Sequence, residues 1–145
     1  EKIVKSARQI SVVADALAEE LDYTVFDACI LPGGIPGVPN LKADATVRRV
    51  CRDFAAEGKV VAAICAAPSV LAQYGLLAGR RATCYPGFEN RCTGAHMVDA
   101  DVVTDGPITT GRALGAAIAF ALELVRLLTD EQTAARTAEE IVWRT

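Results

Sequence analysis

The sequence predicts an α/β fold built around a mostly parallel β-sheet. Short apolar runs that suit buried strands alternate with segments whose apolar residues recur at helical spacing. Two of the apolar runs end in turns of small residues, Pro32-Gly33-Gly34 and Cys65-Ala66-Ala67. A chain of 145 residues is long enough to bury one core, so we expect a single domain over residues 1–145.

The first half of the chain contains three predicted strands and one predicted helix. Residues 3–6 and 10–13 flank a polar segment and are expected to pair as small antiparallel strands. Residues 25–31 form an apolar run that ends at Pro-Gly-Gly, which is typical of a buried strand. Asp44 is a suitable N-cap for a helix that Gly58 ends. Its apolar or small face comprises Val47, Val50, Cys51, Phe54 and Ala55.

The second half continues the alternation of strands and helices. Asp105-Gly106 favours a hairpin between its flanking strands, and Gly75 ends the helix that follows Cys65. The predicted strands are 60–64, 81–84, 102–103 and 108–110, and the predicted helices are 66–74, 114–128 and 130–143. We expect helix 114–128 to serve the core rather than an interface.

Composition argues against several classes of function. A net charge of −3 gives no electrostatic reason to bind nucleic acid or an anionic membrane, and no apolar run is long enough to span a bilayer. Five cysteines, no CxxC spacing and one histidine suggest neither a disulfide framework nor a zinc site. Reduced thiols in a cytoplasmic compartment are the better interpretation.

Cys65 stands out because it lies where a predicted strand meets a predicted helix. Ligand sites in open α/β sheets form at the carboxyl ends of strands. A thiol directly at a helix N-terminus is favoured as thiolate, and a sharp turn exposes its central side chain. The alternative is that Cys65 only packs in the core, as most buried cysteines do. We interpret the other four as structural: Cys29, Cys51, Cys84 and Cys92.

Several stretches, in the right order, resemble the ThiJ/PfpI superfamily, and within it the DJ-1 (Parkinsonism-associated deglycase) branch. They read DACILPGG at 27–34, AAICAAP at 62–68, TCYPGFE at 83–89 and GAAIAFAL at 115–122. Colinear motifs are more specific than any one motif. The resemblance implies a flavodoxin-like, class I glutamine amidotransferase-like three-layer sandwich.

The resemblance also implies roles for particular residues. Cys65 would be the nucleophile and an oxidation-sensitive thiol. The backbone N–H groups of Gly34 and Ala66 would stabilise negative charge on an attacked carbonyl oxygen. The neighbours of this pocket would be Gly33, Tyr85, Pro86 and Leu114.

The chain departs from the superfamily pattern at several positions. Ala66 replaces the histidine that follows the cysteine in the protease-like branch, which argues against a protease. Tyr85 stands where the DJ-1 branch often has histidine, and Leu114 lies where the superfamily has Gly-Pro-Gly. His96 is predicted to be a solvated loop residue. A glutamine amidotransferase would need a downstream His-x-Glu pair, which this sequence lacks.

Superfamily members begin with a strand, a helix and a second strand, and the helix supplies a glutamate that hydrogen-bonds the cysteine. The sequence starts inside the region that resembles the next hairpin, so we expect it to be the C-terminal three-quarters of a member. An uncovered apolar face and unpaired strand edges are expected to result. The glutamate would come from the missing βαβ segment, because Asp27 and Glu89 are better explained as solvated residues.

The activity that the resemblance implies is that of a glyoxalase or deglycase. Cys65 thiolate would add to methylglyoxal, or act on its adducts, through a hemithioacetal, with no metal or organic cofactor and with a role in oxidative stress. Members are usually homodimers. The alternative function is non-enzymatic: a redox sensor or chaperone in which Cys65 is oxidised to a sulfinic acid.

Overall fold

The computed structural model describes residues 2–6 and 8–144 and confirms the α/β class. Strands β1 to β8 span Ile3–Lys5, Ser11–Val13, Ala28–Leu31, Val60–Ile64, Arg81–Ala82, His96–Met97, Val102–Asp105 and Ile108–Gly111. Helices α1 to α5 span Gly37–Ala43, Ala45–Ala56, Pro68–Gln73, Ala117–Leu128 and Glu131–Glu140. Short 3-10 turns lie at Ala18–Glu20, Tyr23–Val25, Glu89–Arg91 and Leu114–Ala116.

The main sheet has four strands in the order β3-β4-β8-β7. Strand β4 is parallel to β3 and β8, whereas β7 is antiparallel to β8. The sheet is therefore mixed, and the predicted hairpin around Asp105-Gly106 supplies its antiparallel pair. The predicted antiparallel pairing of β1 with β2 is also confirmed.

Helices cover both faces of strand β4, which gives the three-layer sandwich. Val61 and Ala63 point to one face and belong to the larger core cluster, which includes residues of α2 and α3. Ala62 points to the opposite face and packs with Phe120 and Leu124 of α4. Because successive side chains of a strand alternate between faces, three consecutive residues connect the two halves of the core.

Capping residues fix the starts of two helices. The side chain of Asp44 accepts a hydrogen bond from the Val47 N–H at 2.9 Å, as the sequence predicts for the N-cap of α2. Asp130 accepts one from the Thr133 N–H at 2.7 Å at the start of α5. None of the helices in the described part of the chain is long and apolar enough to cross a membrane.

Several predicted boundaries are wrong. The strand predicted over 25–31 starts only at Ala28, because Tyr23–Val25 forms a 3-10 turn capped by Asp22. This strand is not fully buried: Ile30 is 49% exposed, since β3 lies at the edge of the sheet. Every pair of neighbouring strands in the main sheet is hydrogen-bonded. Two strands with unpaired edges were expected, but among the described residues β3 is the only strand at its side of the sheet.

The remaining differences concern helices and His96. Helix α1 is unpredicted, because its sequence contains Gly37 and Pro39, which are weak helix formers, although a proline is tolerated in the first turn. The helix predicted from Ala66 begins at Pro68, and the one predicted from Leu114 begins with a 3-10 turn. His96 lies in the short strand β6 rather than a loop, although its side chain is exposed as predicted.

Candidate active site

Cys65 follows β4 in a backbone conformation that is rare for a residue with a side chain. Its φ angle is 66°, in the left-handed region that normally favours glycine. Two backbone hydrogen bonds hold this conformation. The Cys65 N–H donates to the Gly111 carbonyl at 2.9 Å, and the Cys65 carbonyl accepts from the Tyr85 N–H at 2.8 Å. The fold therefore holds a strained, half-buried cysteine at the carboxyl end of the central strand.

The turn after β3 packs directly against Cys65. A Cβ atom built on Gly33 would lie 2.7 Å from the Cβ of Cys65 and 3.1 Å from the nitrogen of Ala66. The first distance, and one of 2.9 Å to the Ile64 carbonyl oxygen, are shorter than real Cβ contacts, so position 33 requires glycine. The next residue, Gly34, has a φ of +97°. Both glycines of the Pro-Gly-Gly turn are thus needed to bring the backbone of β3 next to the thiol.

Two backbone N–H groups near Cys65 have no acceptor among the described residues. The N–H groups of Gly34 and Ala66 donate neither to a carbonyl nor to a side chain. By contrast, the Ala67 N–H donates to the Ile64 carbonyl at 3.1 Å. Unpaired donors close to a nucleophile are what a developing oxyanion needs.

The structure refines the relation between Cys65 and the helix that follows. Helix α3 begins at Pro68, so Cys65 is three residues before it rather than directly at its N-terminus. Ala66 and Ala67 form the intervening turn, and both are buried. The Ser69 hydroxyl donates to the Ala66 carbonyl at 2.7 Å and so fixes the orientation of this turn.

The other predicted pocket residues lie at different distances from the thiol. Tyr85 is joined to Cys65 through the backbone; the residue is 46% exposed, and its ring makes an edge-on contact with Phe88. Pro86 lines a separate cavity. Leu114 is 87% exposed at the start of the 3-10 turn that follows β8. The structure thus joins Tyr85 to the cysteine through a backbone hydrogen bond, whereas the Leu114 side chain is exposed to solvent.

The cavity that Pro86 lines has a volume of about 330 Å³. Arg112 and Asp99 pair across part of it. Its lining among the described residues comprises Thr83, Cys84, Pro86, Glu89, Met97, Val98, Asp99 and Arg112, but not Cys65. The pairing of Arg112 with Asp99 could not be predicted from the sequence, because the two residues meet only after β6 and β8 have folded.

Gly111 is a further residue of the site that was not predicted from the sequence. Its carbonyl orients Cys65, and a Cβ on it would lie 2.8 Å from the Phe120 ring and 2.9 Å from Ile64. The one signal available was its position, since a glycine ends the β-branched run Ile108-Thr109-Thr110. A strand that ends in glycine often marks a close backbone approach.

Burial distinguishes Cys65 from the two cysteines on the neighbouring loop. Burial raises the pKa of Cys84 to about 12, with a further contribution from Cys92. Burial likewise raises the pKa of Cys92. Both side chains are almost inaccessible, at 4% and 2% exposed. These two thiols are therefore protonated and shielded, as their structural interpretation requires.

No acidic side chain among the described residues hydrogen-bonds the Cys65 thiol. Glu89 is exposed, and its carboxylate accepts from the Gly87 N–H at 2.8 Å. Asp27 is exposed just before β3. Within residues 2–6 and 8–144, no group of three or more His, Cys, Asp or Glu side chains is arranged to hold a metal ion.

Comparison with known proteins places this chain in a family. The sequence profile of the DJ-1/PfpI family matches residues 1–127. Protein DJ-1 homolog B of Arabidopsis thaliana is 36% identical over 143 residues, which are 97% of this chain but 33% of the plant protein. The chain thus spans about a third of the length of this relative.

Two further relatives match over most of their own length. A deglycase of Pyrococcus abyssi is 34% identical over 128 residues, 87% of this chain and 76% of the archaeal protein. The crystal structure of a mutant DJ-1 superfamily protein from Salmonella typhimurium superposes with a TM-score of 0.93 at 37% identity, covering 100% of this chain and 80% of that one. The chain therefore belongs to the DJ-1/PfpI family.

Proposed function

We propose that the protein is a cysteine-dependent enzyme of the glyoxalase or deglycase type, acting on methylglyoxal or its adducts with Cys65 as the nucleophile. One observation carries the proposal: Cys65 has a φ of 66° and adjoins Ala66, whose N–H, like that of Gly34 in the turn packed against Cys65, has no acceptor among the described residues. A fold holds a strained residue only where other contacts compensate, and such residues cluster at active sites.

The reaction begins with addition of the Cys65 thiolate to the aldehyde carbon of methylglyoxal. The C–S bond forms as the carbonyl π electrons move to oxygen, which the N–H groups of Gly34 and Ala66 stabilise. Protonation of this oxygen gives a hemithioacetal. The hydrogen on the former aldehyde carbon then moves to the ketone carbon, which gives a thioester. Water hydrolyses the thioester to lactate and the free thiol.

This mechanism needs a carboxylate that moves protons between the substrate carbons. The proposal assigns it to a glutamate from the segment that precedes this region in family members, as the resemblance implies. We also propose that the protein is cytoplasmic and forms a homodimer. Among relatives that the chain covers well, the archaeal protein is named a deglycase, and this supports an enzymatic role.

The second candidate function is a redox sensor or chaperone that uses the same thiol. Cys65 is only half-buried, whereas Cys84 and Cys92 are almost completely buried. Oxidation of Cys65 to a sulfinic acid would place oxygens where the N–H groups of Gly34 and Ala66 can bind them. The two functions share a site and differ in whether aldehyde is turned over.

The experiment that separates them is methylglyoxal consumption by the wild-type protein, Cys65→Ser and Cys29→Ser. Cys29 is the matched control, because it is the other half-buried cysteine. If the protein is an enzyme, Cys65→Ser is expected to lose methylglyoxal turnover and Cys29→Ser to keep the wild-type rate. Equal rates in all three proteins would reject the enzymatic proposal and leave the oxidation state of Cys65 as the functional variable.

A further inference from the structure

Two thiols outside the candidate active site lie in contact. The Sγ atom of Cys29 on β3 is 3.8 Å from the Sγ atom of Cys51 on α2. Both are free cysteines, and they are 22 positions apart in the sequence. This separation matches van der Waals contact between sulfurs, and about 2 Å of closure through side-chain rotation would bring them to bonding distance.

A cavity leads to one of the two thiols. It has a volume of about 200 Å³, enough for a small polar oxidant, and Cys29 lines it. The rest of the lining comprises Leu21, Tyr23, Phe26, Ala28, Val50 and Phe54. Cys51 is 0% exposed and lies behind Cys29. An oxidant entering the cavity therefore reaches Cys29 first.

The contact between the thiols makes them chemically unequal. The hydrogen bond between the two thiols lowers the pKa of Cys29, although burial opposes this effect. The same hydrogen bond, together with burial, raises the pKa of Cys51. The accessible sulfur is thus the one with the lowered pKa, and thiolate is the form that reacts with peroxides.

We propose that Cys29 and Cys51 form a second redox site, a dithiol that peroxide converts to a disulfide. The Cys29 thiolate attacks one oxygen of hydrogen peroxide, which breaks the O–O bond and gives Cys29 sulfenic acid and hydroxide. The Cys51 sulfur then attacks the Cys29 sulfur and forms the S–S bond. The sulfenic oxygen leaves as water with the Cys51 proton, so two thiols are oxidised and one peroxide is reduced.

This site is separate from Cys65. Cys29 pairs in register with Val61, and Cys65 follows the end of that strand, four residues after Val61 and about 13 Å away at 3.3 Å per residue. Cys65 is therefore too far from Cys29 to form a disulfide with it. The disulfide encloses the chain segment that contains Gly33 and Gly34, so it ties the turn beside Cys65 to helix α2.

The test treats the reduced protein with an equimolar amount of hydrogen peroxide, blocks remaining thiols with a maleimide and maps peptides without reductant. A Cys65→Ser background removes competing oxidation at the active site. The expected product has lost two hydrogen atoms and contains one cross-linked peptide pair joining residues 29 and 51. Unlinked maleimide adducts on both residues, or linkage to another cysteine, would overturn the proposal.

Two variants establish the order of the steps. In Cys51→Ser, peroxide is expected to leave a dimedone-reactive sulfenic acid on Cys29, because its resolving partner is gone. In Cys29→Ser, Cys51 is expected to remain a reduced thiol, since it lies behind the cavity wall. If Cys51→Ser fails to fold, the Cys29→Ser result and the cross-link decide. A sulfenic acid on Cys51 in folded Cys29→Ser would contradict the assigned roles.

Discussion

Gly33 lies so close to Cys65 that a Cβ atom on the glycine would come within 2.7 Å of the Cβ of the cysteine. The contact joins the turn after β3 to the turn after β4, two neighbouring parallel strands. It also brings Gly33 close to the nitrogen of Ala66. The position of the thiol relative to its proposed N–H donors thus depends on the absence of one side chain.

Gly33→Ala is expected to lose most methylglyoxal turnover, because either Cys65 or the Gly33-Gly34 turn must move. The overpacking should also destabilise the protein by about 1–3 kcal/mol. Gly37→Ala is the matched control, since a Cβ there meets no atom within 4 Å. Initial rates and thermal unfolding of both variants check the prediction. Wild-type kinetics in Gly33→Ala would show that the contact does not position the site.

The backbone conformation of Cys65 predicts that glycine is more stable than alanine at position 65, which reverses the usual order. At most positions alanine is more stable than glycine, because glycine has more conformational freedom in the unfolded chain. At a φ of 66° alanine is strained by about 1–2 kcal/mol and glycine is not. Cys65→Gly is therefore expected to be more stable than Cys65→Ala by about 0.5–1 kcal/mol after the unfolded-state effect is subtracted. Denaturant unfolding of both variants measures the difference, and a more stable Cys65→Ala would contradict the strain.

Thiol labelling should follow burial and pKa. Cys84 has a pKa raised to about 12, so it stays protonated at pH 8, and only 4% of the residue is exposed. Iodoacetamide at pH 8 is expected to label Cys65 well before Cys84 and Cys92 in the native protein. Peptide mapping over time gives the order. Labelling of Cys84 at the rate of Cys65 before unfolding would be inconsistent with the structure.

The ion pair between Glu123 and Arg126 predicts a pH-dependent contribution to stability. Hydrogen bonds from Arg126 lower the pKa of Glu123 from its ordinary 4.5. The contribution is therefore present above pH 4.5 and is lost as pH falls through the lowered folded-state value. We expect Glu123→Gln to lower the melting temperature at pH 7, with a smaller difference at pH 3. Glu139→Gln, at an exposed position on α5, is the control. An equal difference at both pH values would exclude the ionic contribution.

The fold could largely be predicted because local chemistry determines its elements. Asp44 caps α2, the Asp105-Gly106 turn forms its hairpin, and β4 matches the predicted strand 60–64. Helix α1 was missed because its stability comes from packing, with Val38 only 2% exposed, rather than from helix-forming residues. In α1, tertiary contacts outweighed the low helix propensity of the sequence.

The candidate site was predictable only in part. The position of Cys65 after an apolar strand and the Pro-Gly-Gly turn made these residues candidates, and the resemblance to the ThiJ/PfpI superfamily implied the roles of Cys65 and Gly34. The hydrogen bond to Gly111 depends on the pairing of β4 with β8, across 46 positions of sequence. The contact between Cys29 and Cys51 depends on how α2 packs on β3. Such long-range contacts leave no local pattern in a single sequence.

The most direct test of the central claim titrates the native protein with iodoacetamide and measures both methylglyoxal turnover and the alkylated fraction of Cys65 in each sample. If Cys65 is the nucleophile, activity falls in proportion to Cys65 alkylation and reaches zero when the residue is fully modified. Substantial turnover by protein whose Cys65 is completely alkylated would contradict the proposed mechanism.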